Sequence, residues 1–570
     1  MIRMDFLYST LFRTTLATSV IIVHCVLCPL GTRAQMDSVN TSYYYDLTPT
    51  PASDRTELEV SLKFNCDTPL VIGLPTDYYG TPKIREYVTV FEGANGTTVV
   101  SGADDTERLV HPNDQGIVSI RYVISYDPLA MDRYAFAPNT GPSYFYVAGC
   151  QWLLPIGDLE REIIYHLAVD NPMDRWTFYC SEAYRADSMV ITATYEDLAS
   201  LSLGGCTDKE IHKERDINGK PVDIYIQGGF DFDLERVSGD IETIVRAQRD
   251  WFDDFDQAFY NVVILPRTGL LAGTAESNLF VCFVDRATVP EQLYKLIAHE
   301  MFHYWLPGKM EVQAESGEYD FKYDWFHEGF TDYLSRLILL DIGIMSRASF
   351  VNTLNFDLNS IANNPSAKDS YQRLADLADA DKFSSAQKKL AYYRGALIAL
   401  NWDETLKARG SSLQRFMLAL RDTADSRDGQ LSFHDLVAIG KEFDLPVEQD
   451  ISKYITRGEP ISVPSNLFGN FILSPTEINL FDPGFDMRAS SRQKTITGVI
   501  EGSEAYKAGL RNGMTYVRRR NSNRFSNSWS ESEPLQVTVL IDGEERVIAY
   551  FPTGPLETMM LYEDSTVTDK

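Results

Sequence analysis

Short runs of alternating apolar and polar side chains fill the chain from about residue 41 to about residue 200. Leu58-Glu59-Val60-Ser61-Leu62-Lys63-Phe64 sends every second side chain to one face, and Gly116-Ile117-Val118-Ser119-Ile120-Arg121-Tyr122 does the same, with Pro, Gly, Asn and Asp between the runs. A period of two is that of half-buried strands, so this stretch predicts a β-sandwich. Val222 to Ile226, Asn261 to Leu265 and Leu279 to Val284 are strand-like apolar runs, and a helix is expected between the first two, over about 234–257. From about 332 to 458 the spacing turns helical, with Leu334, Leu337, Ile338, Leu397 and Leu400 as expected core positions. Beyond about 463 short strands return, including Ile496 to Ile500 and Leu535 to Leu540, and form a separate small domain. The expected fold class is multidomain α+β.

Length agrees with several domains, because 570 residues exceed what one hydrophobic core organises. The first 34 residues differ from the rest. Arg3 and Arg13 precede an apolar run from Leu16 to Leu30, and Thr32-Arg33-Ala34 places small residues at a cleavage position. That pattern predicts a signal peptide over 1–34 and a secreted or periplasmic protein, since the run is short for a membrane span and His24 interrupts it. Removing a leader of net charge +2 takes the formal charge from −29 to −31. So negative a surface repels phosphate backbones and anionic lipid, so neither nucleic acid nor, after signal cleavage, a membrane is an expected partner. Cys66, Cys150, Cys180, Cys206 and Cys282 remain, enough for two disulfides and one thiol, without the CxxC spacing of a cysteine zinc site. Asp425 to Asp435 imitates a calcium loop, but Ala424 stands where the first carboxylate belongs, so a plain helix connection is expected.

The strongest chemical signal is His299-Glu300-Met301-Phe302-His303, an HExxH sequence. It carries meaning only on a helix that presents both histidines to one side. Thr288 and Glu291 are spaced as a capping box, Pro290 suits a first turn, Leu293, Leu296, Ile297 and Met301 make an apolar face, and Pro307-Gly308 ends the run. One helical turn separates the two imidazoles, which can converge on one ion with Glu300 beside them. Trp325-Phe326-His327-Glu328-Gly329-Phe330-Thr331-Asp332-Tyr333 then offers Glu328 as the third ligand of a two-His, one-Glu zinc site. His327 is its rival. Asp332, four residues on, is either the acceptor for the free N–H of a liganding histidine or a solvated helix carboxylate.

With HEMFHYW, WFHEGFTDY and Tyr392-Tyr393-Arg394-Gly395-Ala396 in hand, the chain resembles the gluzincin metallopeptidases, and among them the glycyl aminopeptidase family. The 25 positions from His303 to Glu328 are similar to the spacing in that family. The resemblance implies an N-terminal β domain, a thermolysin-like catalytic domain and a PDZ domain, giving 1–34 signal peptide, 35–205 β-sandwich, 206–345 thermolysin-like zinc domain, 346–462 helical subdomain and 463–570 PDZ-like domain. The PDZ-like part rests on Gly498 to Ala505 and Lys507 to Gly513. Two further roles come from the resemblance alone. Glu276, in Gly273-Thr274-Ala275-Glu276-Ser277-Asn278, matches the acidic residue that meets a substrate's free amine, and Tyr392 matches a tyrosine that hydrogen-bonds the tetrahedral intermediate. The activity so implied is that of a zinc-dependent aminopeptidase, with one Zn2+ ion, a zinc-activated water and Glu300 as general base. Its expected partners are a peptide or protein substrate and a peptide ligand of the PDZ-like domain. Two alternatives share these residues: a zinc endopeptidase, and an inactive peptide-binding scaffold.

Overall fold

The computed structural model describes residues 42–75, 84–126, 138–171, 175–185, 187–207, 212–267, 271–276, 278–313, 321–364, 366–379, 385–520 and 534–566. The expected signal peptide lies outside them. The described residues divide into two compact units, one lying within 42–242 and 255–293, the other within 243–254 and 294–566. The boundary expected at 205/206 falls inside the first unit, and those at 345/346 and 462/463 fall inside the second.

In the first unit, alternation becomes sheet as expected. Strand Thr56–Asn65 buries Thr56, Leu58, Val60, Leu62 and Phe64 and turns the residues between them outward. It joins a six-stranded sheet in the order Ser188–Ala193, Ile163–Val169, Ser42–Pro51, Thr56–Asn65, Ile117–Ile124, Val88–Gly93. A second sheet contains Thr177–Cys180, Ser202–Cys206, Tyr144–Ala148 and Asn139–Gly141. Both sheets feed one core, where Tyr45, Val60 and Tyr122 meet Phe145, Val147, Phe178 and Leu203. A third, five-stranded sheet runs His212–Ile217, Lys220–Ile226, Tyr260–Pro266, Leu279–Val284, Leu271–Glu276. Its three middle strands are parallel, and an antiparallel strand closes each edge.

Helix α1 (Leu234–Phe252) stops five residues before its expected end. Asp253 takes the left-handed conformation, φ 46°, which closes the helix. Among the described residues the five cysteines form no disulfide with one another. Cys206 lies opposite Thr177, and Cys180 opposite Leu203, so these neighbouring strands do not bring the two sulfurs face to face. Four of the five are buried, where they pack as small apolar side chains.

The second unit is mainly helical: α2 (Pro290–Phe302, entering from the first unit), α3 (Asp324–His327), α4 (Gly329–Asp341), α5 (Arg347–Ala362), α6 (Ser385–Ala408), α7 (Leu413–Asp425) and α8 (Phe433–Glu442) position its functional side chains. The expected capping box on α2 does not form. Pro290, which lacks an N–H, takes the first helical position, so the cap falls on Val289, whose carbonyl receives the amides of Gln292 and Leu293. Thr288 sits one residue too early, and its buried hydroxyl has no hydrogen bond among the described residues. The calcium-like stretch is the connection between α7 and α8, where Ser432 caps α8 by accepting the Asp435 amide and the Asp435 carboxylate pairs with Arg427 at 2.6 Å.

After α8 the chain builds two three-stranded sheets. Ile496 to Ile500 is not a strand, because Gly498 at φ 68° breaks the extended run, although Ile496 is fully buried. Leu535–Ile541 is a strand as expected, and packs Leu535, Val537 and Val539 with Phe485, Ile496, Ala505 and Leu510. The long antiparallel pair Phe471–Phe481 and Thr553–Asp564 interrupts no apolar run and carries a mixed pattern that periodicity does not reveal. Helix α5 holds that pair. The Asn355 side chain donates to the Tyr562 carbonyl at 2.9 Å and accepts from the Tyr562 amide at 2.8 Å, and Asn363 accepts from the Phe481 amide at 2.7 Å.

Candidate metal centre

Burial of α2 on an aromatic bed fixes its C-terminal turn. Phe252 stacks on Trp305 at 4.6 Å and meets Phe302 at 5.1 Å, while the Gln248 side chain donates to the Ala298 carbonyl. Beyond Phe302 the backbone tightens, and the His303 amide bonds the Glu300 carbonyl three residues back. Trp305 Nε1 and Lys309 Nζ both bond Asp254, which anchors the turn below.

The second strand of the site comes from α3, α4 and α6. Glu328 is the joint between α3 and α4. Its neighbour Gly329 packs directly on Gly395 of α6, where an added Cβ would lie 1.8 Å from the Trp325 carbonyl oxygen and 2.8 Å from the Gly329 Cα. Only glycine permits that approach, so these two glycines bring the helix bearing Tyr392 against the one that follows Glu328.

His299, His303 and Glu328 converge. One ligand atom from each lies within 4.8 Å of the others. Glu328 Oε2 is 3.3 Å from His299 Nε2 and 3.6 Å from His303 Nε2. Bonds of ~2.0 to 2.1 Å at tetrahedral angles place ligand atoms about 3.3 Å apart, close to the two distances from Glu328. Ring orientations agree. His299 Nδ1 faces Asp332 Oδ1 at 2.9 Å, and His303 Nδ1 faces the Leu306 carbonyl at 2.8 Å. Both partners only accept, so each Nδ1 carries the hydrogen and each Nε2 presents a lone pair on the side of Glu328. Glu328 Oε2 is buried and makes no hydrogen bond among the described residues. A carboxylate oxygen so placed, between two imidazole lone pairs, suits a divalent cation.

Charge in the cluster leads the same way. Burial opposes ionisation of Glu328, but His303 and His299 outweigh it and hold its pKa below the ordinary value. Burial alone would lower His299, yet the carboxylates of Asp332 and Glu328 facing its two nitrogens carry it up to about 10. A ring surrounded by that much negative charge favours a cation at Nε2. Glu300 differs: burial raises its pKa, and the two histidines offset this only in part.

Asp332 stands beside His299 as the acceptor for its N–H, and its second oxygen takes Arg336 at 3.0 Å. His327 is not in the group. Its Nε2 accepts the Val312 amide at 2.9 Å, and burial takes it down to about 4, as befits a neutral structural histidine. Tyr392 is buried, its ring lies nearly parallel to His299 with centroids 6.4 Å apart, and burial raises its pKa far enough to keep the hydroxyl protonated. Sequence reasoning missed Lys389, whose Nζ lies 3.5 Å from the Tyr392 ring centroid, and Arg336. The spacing of Arg336 four residues beyond Asp332 on one helix is the signal that could have found it.

Glu276 ends the edge strand Leu271–Glu276 in the other unit. Burial and then Glu182 push its carboxyl up to about 8. The folded chain therefore keeps this proton to higher pH than the unfolded chain, and the stability it contributes is lost as pH rises toward and through about 8. Urea midpoints at pH 5 and pH 8 should differ less for Glu276→Gln than for the parent; an equal difference would mean the carboxyl ionises normally in the fold.

Residues 292–398 match the M61 glycyl aminopeptidase family. Among solved structures, an aminopeptidase N family protein from Idiomarina loihiensis is similar at 15% identity and TM-score 0.61, covering 91% of this chain and 98% of its own. An M1 zinc metallopeptidase from Deinococcus radiodurans aligns at 15% identity and TM-score 0.36, over 75% of this chain and 96% of its own. No curated protein matches the chain in sequence.

Proposed function

The segment 292–398 belongs to the M61 glycyl aminopeptidase family and the chain is a zinc metallopeptidase, and from that premise we propose an exported, secreted or periplasmic, aminopeptidase that removes N-terminal residues from peptides. The observation that carries the reading is the buried Glu328 oxygen held without a hydrogen bond between two imidazole nitrogens. His299, His303 and Glu328 hold the ion in this account. Bound there, zinc supplies Lewis acidity, which lowers the pKa of a water toward ~7 and polarises the peptide carbonyl.

The remaining work falls to side chains. Glu300 accepts the proton that the attacking water releases and delivers it to the leaving amine nitrogen, a task its raised pKa suits. Tyr392 donates its hydroxyl hydrogen to the carbonyl oxygen as that oxygen gains negative charge. Asp332 keeps His299 in the tautomer whose Nε2 is free to bind. Glu276, desolvated beside Glu182, pairs with the substrate ammonium, which supplies the positive charge that this carboxyl lacks. That pair selects the terminal bond. The two sheets sharing one core support reading 35–205 as a β-sandwich, and the cluster around Phe485 and Val537 supports a PDZ-like module that takes a peptide by strand addition.

Hydrolysis of amino-acid amides, free and N-acetylated, tests the polarity. The parent should cleave free-amine substrates and leave acetylated ones intact. Glu276→Gln should lower kcat/KM on free-amine substrates by on the order of 10²-fold. Equal cleavage of blocked substrates, or cuts inside an intact protein, would make this an endopeptidase.

A further inference from the structure

Asp332 is not the end of the chain of contacts that begins at His299. Its Oδ2 meets Arg336 at 3.0 Å, and Arg336 meets Asp357 Oδ2 at 2.6 Å. The three residues form a buried row: Asp357 is fully enclosed, and the side chains of Arg336 and Asp332 are 11% and 17% exposed. Arg336 belongs to α4, the helix that begins next to Glu328, and Asp357 belongs to α5. One guanidinium therefore bridges two helices through two carboxylates, and its planar fork fixes the direction of both.

We propose that Arg336, locked by Asp357, is a positioning residue for the metal centre: it fixes the Asp332 carboxylate so that Oδ1 holds the Nδ1–H of His299 and Nε2 stays aimed beside Glu328. The inference rests on the zinc peptidase reading. Its physical content is rotational. A carboxylate with one oxygen on a histidine can turn about its own axis, and the second oxygen stops turning only when something grips it. Arg336 grips it, and Asp357 prevents Arg336 from swinging away. The arrangement also balances charge, because Arg336, together with His299 and Lys389, sets positive charge against the buried Asp332 carboxylate.

The test measures zinc affinity of the purified protein by competition with a chromophoric chelator, together with thermal unfolding. Arg336→Met alone would bury Asp357 unpaired and could fail to fold, so the double variant Arg336→Met/Asp357→Asn, which removes both charges, is made beside Arg336→Lys. The double variant should fold and bind zinc 10- to 100-fold more weakly, the range for loss of a group supporting a liganding histidine. Arg336→Lys keeps the charge without the fork and should recover part of the loss. A folded double variant with zinc affinity equal to the parent would overturn the proposal, as would Arg336→Lys binding zinc no better than the double variant. If the double variant does not fold, Arg336→Lys against the parent decides, and equal affinity there counts against the relay. A parent that takes up no zinc would defeat the peptidase reading instead, a result distinct from all of these.

Discussion

Replacing Glu300 by Gln should lower kcat by about 10³-fold, within the 10² to 10⁴ that a positioned acid–base group contributes, while zinc content stays at that of the parent. The substitution keeps size and removes only the capacity to take a proton. No neighbouring carboxylate can assume that duty: Asp332 is committed to His299 and Arg336, and Glu328 to the pair of imidazoles. Metal analysis and steady-state kinetics on the same preparation make the check. Activity within tenfold of the parent would remove Glu300 from the proton transfer.

Neighbouring residues 327 and 328 should separate metal binding from stability. Glu328→Ala removes the only carboxylate of the metal group and should abolish both zinc retention after dialysis and peptidase activity. His327→Ala should retain zinc, because its ring serves the Val312 amide instead. That substitution leaves a buried N–H without an acceptor and should cost about 1 to 3 kcal/mol, read from denaturant unfolding. Loss of zinc from His327→Ala, or its retention by Glu328→Ala, would reverse the assignment of these two side chains.

His299, His303 and Glu328 are legible in the sequence because helix geometry converts a spacing of four into a shared face, and only a few residue types bind zinc. Alternation made Thr56–Asn65 and Ile117–Ile124 equally plain. What periodicity misses is set by single backbone choices or by contacts between distant segments. Asp253 at positive φ shortened α1, Gly498 broke a run that reads as a strand, and a proline moved the cap of α2 by one residue. Lys389 and Asp357 join the site only through the packing of α6 and α5, and no local pattern around either residue announces it. The cysteines make the same point, since composition counts thiols while strand register decides which of them can meet.

The clamp of Asn355 on Tyr562 ties together residues 207 positions apart. During synthesis at the ribosome, α5 can coil early, but its partner strand follows only after the intervening residues have been made. Asp357 rides on the same helix, two residues from that clamp, so the backing of the metal pocket gains this support only once Tyr562 is in place. A nascent chain therefore carries its ligand histidines well before the strand that braces α5 has been made.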